Sequence, residues 1–174
     1  MLVYKARPYQ EHATKHIIEN RSAGLFLDMG LGKTVATLTA INSLMYDYFT
    51  VRKVLVIAPV RVARKTWPDE LKKWAHLKDL SMVCLAGTPE QRLDALTTDA
   101  DIYTIGRENV PWLVKTLGKK WPFDMVVIDE LSSFKNHKSK RFQSLMKVRP
   151  RVKRIIGLTG TPSSNGLMDL WSEF

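Results

Sequence analysis

The segment Leu25-Phe26-Leu27-Asp28-Met29-Gly30-Leu31-Gly32-Lys33-Thr34 restricts the fold more than any other stretch of this chain. An apolar run gives way to a glycine-punctuated turn, and Gly-Lys-Thr then leads into Val35–Ile41, which reads as helix. Strand, glycine loop and helix in that order form the context of a phosphate-binding loop. Glycines let backbone N–H groups close around phosphate oxygens, and the helix start adds unpaired N–H groups and a positive dipole end. On this reading Met29, Gly30, Leu31 and Gly32 form the cradle. Lys33 meets the terminal phosphates as a point charge, and Thr34 offers its hydroxyl to Mg²⁺. The strict eight-residue motif has glycine where this chain has Leu27, so the loop alone leaves an ordinary strand–turn–helix open.

A second motif narrows the choice. Phe123-Asp124-Met125-Val126-Val127-Ile128-Asp129-Glu130 is an apolar run ending in two carboxylates. Such a strand belongs in the middle of a parallel sheet, with its acids emerging at the C-terminal edge beside the glycine loop. A buried acidic pair is costly unless it meets a cation, and Mg²⁺ supplies one. Asp129 then holds the ion's water shell and Glu130 orients or deprotonates an attacking water, which pairs both with Lys33 as catalytic candidates for ATP chemistry.

The intervening chain alternates strand and helix patterns throughout. Pro8 suits a helix first turn, with helical apolar spacing continuing through Ile18. Gln10 on that helix has an amide able to pair both ways with an adenine edge. His12 and His16 share a face but lack an acidic or cysteine partner nearby, so they read as surface residues. Lys53–Ala58 is a buried parallel strand ending at Pro59, and 69–76 reads as helix. The Trp67, Leu71 and Trp74 stripe reads as core. Ser81–Ala86 is a strand, with Gly87-Thr88-Pro89 as turn and cap before a helix through Leu96. Asp101–Ile105 and Val152–Leu158 are further strands, and Arg107–Leu117 a further helix. Together these predict an α/β fold, a three-layer P-loop domain with a mainly parallel sheet and helices on both faces, as a single domain over 1–174.

Charge points to a partner. The chain carries 27 Lys and Arg against 17 Asp and Glu, a net +10, which favours a polyanion, nucleic acid before a membrane surface. Arg61, Arg64 and Lys65 sit just past a strand's C-terminal end, where they either contact phosphates or are simply solvated. The same two readings apply to the basic stretch Phe134–Arg149. No apolar run approaches the roughly 20 residues that span a bilayer, and the N-terminus lacks a signal-peptide core. With Cys84 alone, neither an intrachain disulfide nor a cysteine-based zinc site can form, and an intracellular setting follows as the simple expectation.

Side by side, these segments resemble the first RecA-like lobe of Swi/Snf-type DNA translocases, in helicase superfamily 2. Arg7-Pro8-Tyr9-Gln10 resembles the family's adenine-reading motif, and Asp28–Thr34 its first ATPase motif, Met and Leu included. Ala58-Pro59 through Trp67 and Lys73-Trp74 resembles a DNA-backbone contact, and Tyr103-Thr104-Ile105 sits where a further one lies. Asp129-Glu130 matches the Mg²⁺ motif, and Lys135-Asn136 with Ser139-Lys140 resembles the segment after it. Leu158-Thr159-Gly160-Thr161-Pro162, followed by Asn165, Leu167 and Leu170-Trp171, is the most distinctive match.

The resemblance implies ATP with Mg²⁺, and duplex DNA held by its backbone through Arg61, Arg64, Lys65, Arg107, Lys135, Asn136, Lys138 and Lys140. It implies that Thr159, Gly160 and Thr161 sense and relay the phosphate state. Leu131-Ser132 stands where the family usually has Ala-His, which leaves open how Ser132 takes part in that coupling. The family's ATPase also needs arginines from a second RecA-like lobe, which this sequence does not contain, so the chain reads as part of a two-lobed motor, with weak nucleotide and DNA binding and little turnover alone. The adenine motif lies directly at the N-terminus, which points to a compact bacterial or viral motor, in a bacterial or virus-infected cytoplasm; in a eukaryote the setting is the nucleus. A strand-separating helicase lobe, acting on DNA or RNA, and a non-catalytic nucleic-acid-binding module with the same fold are the alternatives.

Overall fold

The computed structural model describes residues 1–27, 32–131 and 139–160. A six-stranded sheet forms the middle layer: β1 (Ser22–Phe26), β2 (Val54–Ala58), β3 (Met82–Leu85), β4 (Ile102–Gly106), β5 (Met125–Asp129) and β6 (Arg154–Thr159). The strand order is β1-β6-β5-β2-β4-β3, and every neighbouring pair is parallel. β2, β4 and β5 are buried at every position, as expected of strands rich in β-branched residues and covered on both faces.

Two apolar layers flank the sheet. On one face Val54, Val56, Met125, Val127, Ile156 and Leu158 pack with Ile17 of α1 (Pro8–Glu19), Leu38, Ile41 and Leu44 of α2 (Gly32–Tyr46), and Trp67 and Leu71 of α3 (Trp67–Lys73). On the other, Leu55, Ile57, Ile105, Val126, Ile128 and Ile155 pack with Val110, Leu113 and Val114 of α5 (Val110–Leu117), and Phe142 and Leu145 of α6 (Lys140–Lys147). Alternate residues of one strand thus enter opposite cores. α4 (Pro89–Leu96), whose Ala95 and Leu96 pack on the second layer, opens with the expected cap: Thr88 Oγ1 accepts from Gln91 N–H at 3.2 Å, and Gln91 Oε1 accepts from Thr88 N–H at 2.8 Å. Gly87 just before it has φ +89°, and a Cβ there would lie 2.1 Å from Gln91 Oε1.

The structure revises several expected boundaries. β1, for which the sequence shows only the apolar run from Leu25, runs 22–26 as a sheet-edge strand that buries Leu25 and exposes Phe26. The helix read at 69–76 starts earlier and stops at Lys73, with Trp74 extended (φ −106°, ψ 129°) and His76 in a 3₁₀ turn. Leu2 causes the break by pairing there as a short parallel bridge: its N–H donates to Lys73 O, and its carbonyl accepts from Ala75 N–H, both at 2.9 Å. Arg107 to Asn109 forms a 3₁₀ turn before α5, so the helix expected from Arg107 begins at Val110. The Asp129 strand lies in the sheet interior as expected, with β6 between it and β1.

Candidate nucleotide and magnesium site

Lys33 lies in the first turn of α2, and its Nζ stands 2.9 Å from both Asp129 Oδ1 and Glu130 Oε1. The three ionisable groups of the two sequence motifs, 97 residues apart, therefore meet at one point. Successive residues of an extended strand point to opposite faces. Glu130 escapes that rule by adopting φ +62°, in the left-handed region where a residue with a Cβ is uncommon, and its carboxylate turns back to the ammonium. Burial disfavours the charged lysine and is the largest single influence on it. The two carboxylates together outweigh that influence and hold Lys33 above the ordinary lysine value.

Asp129 is 2% exposed. Its Oδ2 accepts the indole N–H of Trp67 at 2.9 Å, a fully buried hydrogen bond. Its Oδ1 faces Lys33 but receives no aligned hydrogen bond. A buried carboxylate oxygen with coordinating capacity, near a second carboxylate across Lys33, with the buried Thr34 following Lys33 in the chain, offers hard oxygen donors of the kind Mg²⁺ takes. No cluster of three His, Cys, Asp or Glu able to cage a metal exists among the described residues. Mg²⁺ commonly binds through one or two carboxylates completed by phosphate oxygens, and this site fits that arrangement.

The adenine candidates lie at the start of α1. Gln10 is buried rather than a surface glutamine. Its Oε1 accepts from Arg7 N–H at 2.9 Å, and its Nε2 donates to Gly32 O at 3.4 Å, which ties α1 to the first residue of α2. Gly32 leaves room for these side chains: a Cβ there would lie 2.9 Å from Tyr9 Oη and 3.1 Å from Gln10 Nε2. The Arg7 side chain is exposed. Met29, Gly30 and Leu31 fall outside the described residues.

Thr159 ends β6, between the two halves of the site. Phe26 pairs with Thr159 across β1–β6, Asp129 pairs with Leu158 across β5–β6, and Thr159 is completely buried. Gly160 follows half-buried; Thr161 and Ser132 lie outside the described residues.

The candidate DNA contacts share the same edge of the sheet. Arg61, Arg64 and Lys65 follow β2 and are exposed, Lys65 pairing with Asp69 at 3.1 Å. Arg107, half-buried, follows β4, the neighbour of β2, with Ala58 and Gly106 in register. Lys140 opens α6 and is exposed, and Arg141 beside it pairs with Glu108. Lys135, Asn136 and Lys138 lie outside the described residues.

Trp67 and Leu71 of the apolar stripe are core and Trp74 is half-buried, and Trp67 has a further role. The residue is wholly buried core, and it also supports Asp129 through its indole N–H. The available signal was chemical: a buried indole N–H needs an acceptor, and a nearby carboxylate motif offers one.

The sequence matches the SNF2-related domain family over residues 9–174. It is 41% identical to putative protein p41 of Acyrthosiphon pisum secondary endosymbiont phage 1, across 99% of this chain and 39% of that protein. It is 31% identical to the ISWI chromatin-remodeling complex ATPase ISW1 of Saccharomyces cerevisiae, across 95% of this chain and 15% of the yeast protein. The chain thus spans well under half the length of these two relatives. The Sulfolobus solfataricus SWI2/SNF2 ATPase core, solved in complex with dsDNA, superposes with a TM-score of 0.78 at 30% identity, covering 97% of this chain and 35% of that one. The UvsW helicase of bacteriophage T4 shares the fold, with a TM-score of 0.73 at 19% identity over 98% of this chain and 58% of the helicase.

Proposed function

The chain belongs to the SNF2-related domain family, as a Swi/Snf-type RecA-like ATPase lobe, and from that premise we propose that it is the nucleotide-binding half of a DNA-dependent ATPase moving on duplex DNA. One observation carries the reading: a P-loop lysine held at 2.9 Å from both carboxylates of the acidic strand end. A non-catalytic module has no need of an ammonium and two acids converging at a strained residue.

Lys33 exchanges its carboxylate partners for phosphate oxygens when Mg·ATP enters, and Gly32 keeps the α2 N-terminus open to them. Asp129 and Thr34 hold Mg²⁺, which when bound supplies charge neutralisation at the β- and γ-phosphates. Glu130, a third exposed at its side chain, is placed to orient the attacking water. Gln10 reads the adenine edge on this proposal, its amide exchanging the Arg7 N–H and Gly32 carbonyl for the base. Thr159 and Gly160 sense the phosphate state between the two halves of the site.

Arg61, Arg64, Lys65, Arg107 and Lys140 contact the DNA backbone, so binding is insensitive to sequence and steeply salt-dependent. Turnover at speed requires arginines from a second RecA-like lobe, which can contribute about 10³–10⁵ in rate. Calorimetric titration of the chain with Mg·ATP, beside Lys33→Ala, tests the reading. Wild type is expected to bind weakly and the variant not measurably. Equal affinity in both would exclude Lys33 as the phosphate ligand.

A further inference from the structure

Trp67 connects the two halves of the proposed activity, and the connection begins with a wide turn in the helix after β2. The chain turns helical at Val60, and residues Val62–Thr66 form a π turn in which Trp67 N–H reaches back to Val62 O. Pro68 accounts for the widening. Its ring would press on the carbonyl four residues back, Arg64 O, and it has no N–H to donate. In the π pattern the next bond would run from residue 68 to Ala63 O, and Pro68 cannot make it. Thr104 of β4 supplies the missing donor instead, with Oγ1 2.8 Å from Ala63 O in a fully buried bond. The extra residue in the turn sets Ala63 and Trp67 inward, both 0% exposed, and leaves Arg61, Arg64 and Lys65 outward.

Two buried hydrogen bonds thus fix this turn. Ala63 O is tied to β4, which two residues later reaches Gly106, packed on Val60, and then Arg107. Trp67 Nε1 is tied to Asp129 Oδ2 at 2.9 Å. Neither bond has a competing partner in solvent, since Thr104 and Trp67 are completely buried. π turns inserted in α-helices frequently mark functional sites, and a shift of this turn would carry Trp67, and with it the hydrogen bond to Asp129.

We infer that Trp67 is a positioning residue for Asp129, through which contact of a nucleic-acid backbone with the π turn and Arg107 governs binding of Mg²⁺ and nucleotide. The inference rests on the ATPase reading above. Trp67 touches neither nucleotide nor DNA; it sets the orientation of the carboxylate that the metal uses. Linkage requires the converse as well, so Mg·nucleotide strengthens the hold of the π turn on the duplex by the same factor.

The test measures that factor without turnover, on the whole chain. Binding of Mg·AMP-PNP is titrated with and without a short blunt DNA duplex, for wild type, Trp67→Phe, Thr104→Val and Trp121→Phe. Trp121 is a matched control, because its buried indole N–H donates to Phe123 O, away from the site. In wild type and Trp121→Phe the duplex is expected to tighten nucleotide binding by about 5-fold or more. In Trp67→Phe the factor falls to near one, and Thr104→Val reduces it in part. Near-UV circular dichroism identifies a variant that has not folded, in which case Thr104→Val carries the decision. A folded Trp67→Phe that keeps the wild-type factor overturns the inference and leaves the ATPase reading standing. So does a wild type that binds Mg·AMP-PNP with no response to the duplex. A wild type that binds no nucleotide overturns the ATPase reading itself, and the inference with it.

Discussion

Replacing Lys33 by methionine removes the one ammonium between two carboxylates while keeping a long apolar side chain in the space. Each 2.9 Å contact corresponds to about 6 kcal/mol of attraction at an effective dielectric of about 20. Desolvation of the buried lysine and of Asp129, which is 2% exposed, offsets most of it. Solvent reaching Glu130 screens the second contact further. What remains after substitution is an uncompensated charge at Asp129, held by the Trp67 hydrogen bond, and the expected loss is about 2 kcal/mol. For a domain of this size that lowers Tm by about 4–8 °C. Scanning calorimetry at neutral pH reads the shift, and pH supplies an internal check. Lys33 sits above its unfolded-chain value, so its contribution is complete below about pH 10.4 and disappears as pH climbs through the raised folded value. The gap between wild type and Lys33→Met should therefore be constant from pH 7 to about 10 and close in stronger alkali. Millimolar Mg²⁺ should raise the Tm of the variant more than that of wild type, because the ion no longer competes with an ammonium for Asp129. A variant as stable as wild type at pH 7, with a gap unmoved by alkali, would refute the argument that this ion cluster is a compensated buried charge.

Other consequences follow from single contacts. Gly32→Ala should displace the exposed Tyr9 ring and crowd Gln10 Nε2, costing less than about 1 kcal/mol, and thermal unfolding with a nucleotide titration checks both the fold and the α1–α2 clasp. Thr88→Ala removes the side-chain cap of α4 and should cost about 1 kcal/mol in chemical denaturation with no change in the slope of the transition. Arg107→Ala should weaken duplex binding equally across sequences and lower the logarithmic salt slope by about one, measured by fluorescence anisotropy over a salt series.

The architecture was legible because strands covered on both faces must be apolar throughout: Val54–Ala58 and Met125–Asp129 announce themselves, and each lies in the sheet interior. The meeting of Lys33 with Asp129 and Glu130 was legible too, since a phosphate loop and an acidic strand end imply each other chemically. What escaped the sequence depends on partners remote along the chain. The helix after Trp67 ends at Lys73 because Leu2, some seventy residues earlier, claims the backbone of Lys73 and Ala75. The π turn needs both Pro68 and the Thr104 hydroxyl, and only the folded sheet brings them together. Apolar spacing places Trp67 in the core but says nothing of where its N–H points. The left-handed Glu130 carries no local signal either, for it is neither glycine nor asparagine.

The central claim, half of an ATP-driven motor, is tested most directly by steady-state ATP hydrolysis of the purified chain with and without duplex DNA, beside Lys33→Ala and Glu130→Gln. The account predicts turnover near background with or without duplex, while wild type and Glu130→Gln still bind Mg·ATP and Lys33→Ala does not. Robust hydrolysis, raised many-fold by duplex and abolished by both substitutions, would contradict it, because this chain would then complete its own active site.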